Sequence, residues 1–247
     1  MSRTTDDLVT FSDGVDAANS PISLWALILD FVHDRDFPMI SYHHLDLARR
    51  TDPAASPTIV ADGFPEDWIC SYIDQKLFLI DPIPEFAERR HAPFRWNELE
   101  QLTRLTEAES AFLERRRASG VGDGIAIQVF GPYQRNGCFG IGFGERKSDA
   151  SPKEIRELQL ACQLAHLRYC AMAEAEAKPD HGLSTRESEV LEWIAKGKSN
   201  PSIAEILGIS NHTVDTHVRR IFVKLGAADR VTAAIRGIGS GLIRGIA

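Results

Sequence analysis

At 247 residues, with 43% hydrophobic and 26% charged, the chain has enough apolar content for one large or two ordinary cores and is no disordered tail. No run approaches the roughly 20 apolar residues of a membrane span, and MSRTTDDLVTFSDG lacks the basic-then-apolar order of a secretory signal, so a cytoplasmic protein without a membrane partner is expected. The net charge of −7 is uneven: residues 183–247 hold nine Lys/Arg against six Asp/Glu, leaving −10 for residues 1–182, so affinity for phosphate is confined to the C-terminal part.

Residues 1–19 are polar and capless and read as a frayed entry. Ser20-Pro21 opens a helix carrying Ile22, Trp25, Ile28, Leu29 and Val32 at helical spacing. Two strands follow, 37–45 (FPMISYHHL) and 57–61. His43 and His44 are adjacent in a strand and point to opposite faces, so they make no metal pair. A helix over 65–78 places Trp68 and Tyr72, four apart, on one face. Asp81-Pro82 opens another helix to about Arg90, and Trp96 lies beyond a Pro-containing bend. A polar helix over 106–119 leads into a glycine-rich turn. Strands IAIQVFG (125–131) and CFGIGFG (138–144) are joined by a PYQRNG turn with a hairpin signal. The GIGFG segment opens no helix and is no phosphate cradle.

Ser151 and Glu154 form a capping box for a helix over 152–176. Ile155, Leu158, Cys162, Ala165 and Tyr169 recur at three and four, a heptad-like seam, and Leu160, Leu164, Leu167 and Ala171 make a second stripe. One stripe can cover a sheet and the other needs a partner; the seam is assigned to a homodimer contact. Cys162, His166 and Cys170 share a face and read as packing, not as a metal site. The four cysteines (70, 138, 162, 170) include no Cys-x-x-Cys pair, which fits reduced thiols; no metal and no cofactor is expected. Residues 175–182 read as a polar, Pro-containing linker.

Three short helical patterns fill 183–230. Ser184 and Glu187 cap the first, which carries Val190, Leu191 and Ile194. The second, with Ile203, small Ala204, Ile206 and Leu207, ends at Gly208. After a Ser210 cap, the third buries Val214, Val218, Ile221, Phe222 and Leu225. This is a helix-turn-helix whose third element is shaped for a major groove. Asp215, Thr216, Arg219 and Arg220 point outward, with Asn211 and His212 at the entrance. Arg suits guanine O6 and N7, and a carboxylate accepts from cytosine N4. Lys196, Lys198, Ser199, Ser210, Thr213, His217, Arg220 and Lys224 surround that face as phosphate-contact candidates.

The string LSTRESEVLEWIAKGKSNPSIAEILGISNHTVDTHVRRIFVKLGAADR resembles the DNA-binding domain of the LuxR family of bacterial regulators. Glu187, Leu191, Gly197, Ile203, Ala204, Thr213, Val214, His217, Lys224 and Leu225 stand at the family's positions. The resemblance places Asp215, Thr216 and Arg219 at base-reading positions, with His212 beside them; Asp215 departs from the basic or polar residue commoner there. The spacing Trp68-x3-Tyr72-x8-Asp81-Pro82, then Trp96 and Gly124, resembles the autoinducer-binding domain of the family's quorum-sensing branch. The implied fold is α+β: an N-terminal α/β/α sandwich over 1–174, the linker, and an all-α helix-turn-helix domain over 183–247.

The implied ligand is an N-acyl-homoserine lactone, with one amide N–H donor, two carbonyl acceptors and an apolar tail. The Trp68 N–H suits the lactone carbonyl, Asp81 the amide N–H, and Trp96 walls the ring. Ile83, Phe64, Gly124 and Gly140 complete the expected site. Phe64 stands where many members have a carbonyl-donating Tyr, and Gly140 where several have Ser or Thr. The acyl carbonyl is therefore expected on a water or on Tyr72, and the acyl group to be atypical, branched or aromatic. The resemblance implies a dimer on palindromic promoter DNA, and an RNA polymerase contact if the protein activates. Alternatives remain: a family member with a degenerate, ligand-free pocket; a response regulator, for which Asp6-Asp7 lacks the accompanying residues; and a lactone-processing enzyme, which lacks a nucleophile or metal set.

Overall fold

The computed structural model describes residues 5–46, 58–132, 135–144, 150–176 and 182–243. The expected start of the second strand at Pro57, the middle of the PYQRNG turn and most of the expected linker lie outside them.

The chain opens with helix α1 (Thr5–Ala17), which the polar composition of residues 1–19 concealed. Phe11 and Val15, four apart, bury one face of α1, and the Phe11 ring packs 4.5 Å from Phe31. Helix α2 (Pro21–His33) starts as expected, Ser20 accepting from the Ser23 N–H with Pro21 in the first turn. Strands β1 (Met39–Asp46), β2 (Thr58–Asp62), β3 (Phe94–Arg95), β4 (Gly124–Val129) and β5 (Arg135–Gly142) form one sheet in the order β2-β1-β5-β4-β3. The β1/β2, β3/β4 and β4/β5 pairs are antiparallel. β3 is too short for a period-2 signal, and sequence patterning did not find it.

Alternation along the strands builds two cores. Ile40 and Tyr42 of β1, Ile125, Ile127 and Val129 of β4 and Phe139 and Ile141 of β5 face α1, α2 and the long helix α7 (Pro152–Glu176). On the other face lie α3 (Glu66–Asp74), α4 (Pro82–Ala87), α5 (Leu99–Leu102) and α6 (Glu107–Ala118), the last capped by Thr106 and Glu109. This is the expected sandwich of helices on both faces of a sheet.

One expectation is corrected on α7. Leu158 and Cys162 are fully buried and Ala165 nearly so, with Ile155 and Tyr169 packed on the same core. The seam assigned to a homodimer is therefore the stripe that covers this chain's own sheet. Of the opposite stripe, Leu160 and Leu167 face outward, 52% and 44% exposed, while Leu164 packs against this core. His166, on the inner side, shares a buried network: the Tyr42 hydroxyl lies 2.8 Å from His166 Nδ1 and 2.9 Å from His44 Nδ1, and His166 Nε2 lies 3.5 Å from Cys170 Sγ.

The second compact unit is helical: α8 (Thr185–Ala195), α9 (Asn200–Leu207), α10 (Asn211–Leu225) and α11 (Arg230–Gly239). Val190, Leu191, Ile194, Ile203, Ala204, Val214, Val218, Ile221 and Leu225 form its core, as their spacing predicts. Gly208, at φ 64°, takes the left-handed conformation that ends α9 and turns the chain into α10.

Candidate functional site

The sheet face that carries α3, α4 and α6 encloses a cavity of about 200 Å³. Ser41 and His43 project from β1, and their antiparallel partners Ala61 and Ile59 from β2. Cys138 and Gly140 project from β5, and Trp68 and Tyr72 from adjacent turns of α3. Phe64, Asp81, Ile83, Trp96, Phe112, Arg116 and Val121 close the remaining walls. The expected residues Phe64, Trp68, Tyr72, Asp81, Ile83, Trp96 and Gly140 thus meet in one place. Gly124 lies beneath: a Cβ there would come within 2.6 Å of the outer edge of the Trp96 ring, so the glycine makes room for the indole.

Asp81 caps α4, accepting the Ile83 N–H on Oδ1 at 2.9 Å while the Tyr72 hydroxyl donates to Oδ2 at 2.8 Å. Burial pushes the carboxyl up to about 6, against the Ile83 and Tyr72 hydrogen bonds and the Arg116 charge, which pull it down. A carboxylate offers about four acceptor sites, so two stay open towards the cavity. The Trp68 indole N–H has no partner among the described residues. Burial pushes His43 down to about 4, which leaves its imidazole neutral at pH 7, and lifts the Cys138 thiol far above its ordinary range. The pocket therefore offers a polar, hydrogen-bonding end in apolar surroundings.

Two features escaped sequence reasoning. Arg116 is 3% exposed; it donates to the Gly122 carbonyl at 2.6 Å and to Asn97 Oδ1 at 2.8 Å, and lies 5.1 Å from the Trp96 ring centroid. It sits among the charges of a polar helix, where nothing marks it as inward. Ser41 lies in a strand without an apolar/polar alternation to orient it. Tyr72, expected with a water as a candidate for the acyl carbonyl, donates its one proton to Asp81.

On the helical unit, His212, Arg219 and Arg220 are exposed along α10, with Thr213, Asp215, Thr216 and His217 half-buried. Thr216 returns its hydroxyl to the His212 carbonyl at 2.9 Å. Asp215 Oδ1 accepts from Asn200 Nδ2 at 2.6 Å, and Asn200 Oδ1 in turn accepts from Arg230, so one carboxylate oxygen is tied into the fold. Ser199 and Ser210 cap α9 and α10. Lys196 lies 4.5 Å from the Trp193 ring centroid, and Lys198 is exposed. Lys224 donates to Glu187, 2% exposed, at 2.7 Å, and to the Gly182 carbonyl. Desolvation opposes ionisation of Glu187, but Lys224 and the Ser184 amide outweigh it and hold the carboxyl below its usual range. Lys224 is thus an internal clamp, where a phosphate contact was expected.

Residues 20–169 match the autoinducer binding domain family, and residues 181–236 match the luxR family of bacterial regulatory proteins. The quorum sensing-dependent transcriptional regulator RpaR of Rhodopseudomonas palustris is 29% identical over 185 residues, 75% of each chain. The transcriptional activator VanR of Vibrio anguillarum is 31% identical over 76% of this chain and 78% of its own. Escherichia coli SdiA, in a crystal structure, superposes with a TM-score of 0.75 at 21% identity over 96% of this chain and 98% of its own. The chain belongs to the LuxR family of quorum-sensing transcriptional regulators, with an autoinducer-binding domain preceding its helix-turn-helix.

Proposed function

We propose that the cavity binds an N-acyl-homoserine lactone and that the protein, as a cytoplasmic homodimer, binds a palindromic promoter site under control of that signal. The observation that carries this reading is the Asp81 carboxylate, oriented by Tyr72 and Ile83 with acceptor sites to spare, beside an unpartnered Trp68 N–H in an apolar cavity. The ligand amide donates to Asp81, the lactone carbonyl accepts from Trp68, and Trp96 with Gly124 beneath it walls the ring. Acyl burial adds roughly 0.8 kcal/mol per CH₂. SdiA has been solved with octanoyl-rac-glycerol, another acyl amphiphile, which supports this ligand class. Ser41 and Trp96 fill the space beside Gly140, so a branched or aromatic acyl group is favoured by Phe64 alone. The high Cys138 range and the neutral His43 favour binding over turnover.

Residues 1–174 are the sensor, 175–182 the linker and 183–247 the DNA-binding domain. With the inner seam of α7 occupied, its outer stripe of Leu160, Leu167 and Ala171 takes the dimer role. Arg219 reads bases with His212, Thr216 and the free oxygen of Asp215. Lys196, Lys198, Ser199, Ser210, Thr213, His217 and Arg220 set register on phosphates. RNA polymerase is a further partner if the protein activates. The test is mass spectrometry of small molecules extracted from protein produced with a mixed acyl-homoserine lactone series. One intact lactone at one per chain supports the reading; no lactone, or only its hydrolysed acid, contradicts it.

A further inference from the structure

The lactone reading leaves one ligand atom unheld. Such a ligand brings two carbonyl oxygens, and each loses water on entering the cavity, so each needs a donor. Trp68 supplies one. Tyr72 spends its proton on Asp81, Phe64 has none, Gly140 has no side chain, and the unpartnered Trp96 Nε1 belongs to the indole assigned to the wall of the ring.

The neighbouring strand fills the gap. Ser41 projects from β1 into the same cavity as Gly140 from adjacent β5. A Cβ built on Gly140 would lie 2.7 Å from Ser41 Oγ, closer than such atoms approach in proteins. It would also lie 3.2 Å from Trp96 Cζ2. The Ser41 hydroxyl thus occupies the place that a side chain at position 140 would enter, and a side chain there would force Ser41 to turn away. Ser41 Oγ has no hydrogen-bond partner among the described residues. It is an open donor at the point where position 140 has lost one.

We propose that Ser41 is a specificity-determining residue that donates to the acyl carbonyl of the ligand from β1, and that Gly140 is required to leave it room. The assignment rests on the lactone reading. It places the acyl carbonyl against β1 and β5, with Trp96 at its side.

The test compares two probes by calorimetry on the full-length protein: N-octanoyl-homoserine lactone, and the analogue in which the acyl C=O is reduced to CH₂. Ser41→Ala is expected to weaken the octanoyl lactone about 3- to 10-fold, the range of one net hydrogen bond, and to leave the reduced analogue unchanged. Gly140→Ser alone is expected to weaken the lactone by crowding Ser41. The double variant Ser41→Ala/Gly140→Ser, which returns a hydroxyl from the other strand, is expected to recover most of the loss. An unchanged affinity in Ser41→Ala, an equal loss for both probes, or a double variant no better than either single one overturns the assignment. His43→Phe is the control, since its imidazole also faces the cavity; if it alone carries the carbonyl-dependent loss, the donor is His43. A wild-type protein that binds neither probe, nor branched and aromatic acyl-homoserine lactones tested beside them, sinks the lactone reading and the Ser41 assignment with it. A wild type that binds while Ser41→Ala is silent sinks only the assignment.

Discussion

Asp81 ionises near pH 6 because the cavity withholds water from it, and its titration gives the pocket a signature. A carboxyl raised above its ordinary 3.8 favours the neutral form in the fold, so the stability that Asp81 contributes is lost as pH rises from about 4 to about 6. An amide N–H donated by a ligand favours the ionised form, so binding strengthens as pH rises through about 6. Lactone affinity should be roughly ten-fold weaker at pH 5 than above pH 7, and Asp81→Asn should bind weakly with a flat profile; calorimetry at several pH values checks this. His43, lowered from 6.5 to about 4, contributes stability that rises with pH over the same range and so opposes the Asp81 contribution; between pH 5 and 7 it is neutral in the fold and adds no slope to binding. At the same scale, Lys224→Ala strands the buried Glu187 carboxylate and should cost the helical unit about 1–3 kcal/mol, visible as a lower melting temperature. Arg219→Ala, exposed on α10, should weaken operator binding without that shift. The pocket residues Trp68, Tyr72 and Asp81 were legible through the resemblance that their spacing bears to the autoinducer-binding domain. Arg116, Ser41 and Lys224 were not, because each acts through a tertiary neighbour that local pattern does not encode.

Among the elements, α7 divides its two apolar stripes between a core and an outer face. Leu158→Ala should destabilise the sensor unit by about 2–5 kcal/mol, as expected for a cavity in a packed core. Leu160→Asp and Leu167→Asp should leave the melting temperature near wild type while shifting sedimentation towards monomer; a dimer that survives both charges excludes this face. The stripes could be read from the sequence, but which one faced inward could not, since both carry the same period and similar residues. Helix α1 shows the reverse failure: Asp13 and Asp16 are exposed, and two buried positions, Phe11 and Val15, were too few to stand out. Where caps and periods agree, as in α8, α9 and α10, pattern and structure coincide nearly residue for residue.

For the molecule as a whole, the charge division and the two family matches describe the same partition: an acidic unit that encloses a small cavity and a basic unit that presents α10. Signal control requires the ligand to bind one conformational state better than the other and so to change DNA affinity by that difference. The most direct measurement is operator affinity with and without saturating N-acyl-homoserine lactone, by fluorescence anisotropy on a site selected from random DNA, for wild type, Trp68→Ala and Asp81→Ala. The account predicts at least a ten-fold change in wild type, in either direction, that both variants abolish. An operator affinity that ignores the lactone in wild type, or a shift that persists in both variants, would contradict it.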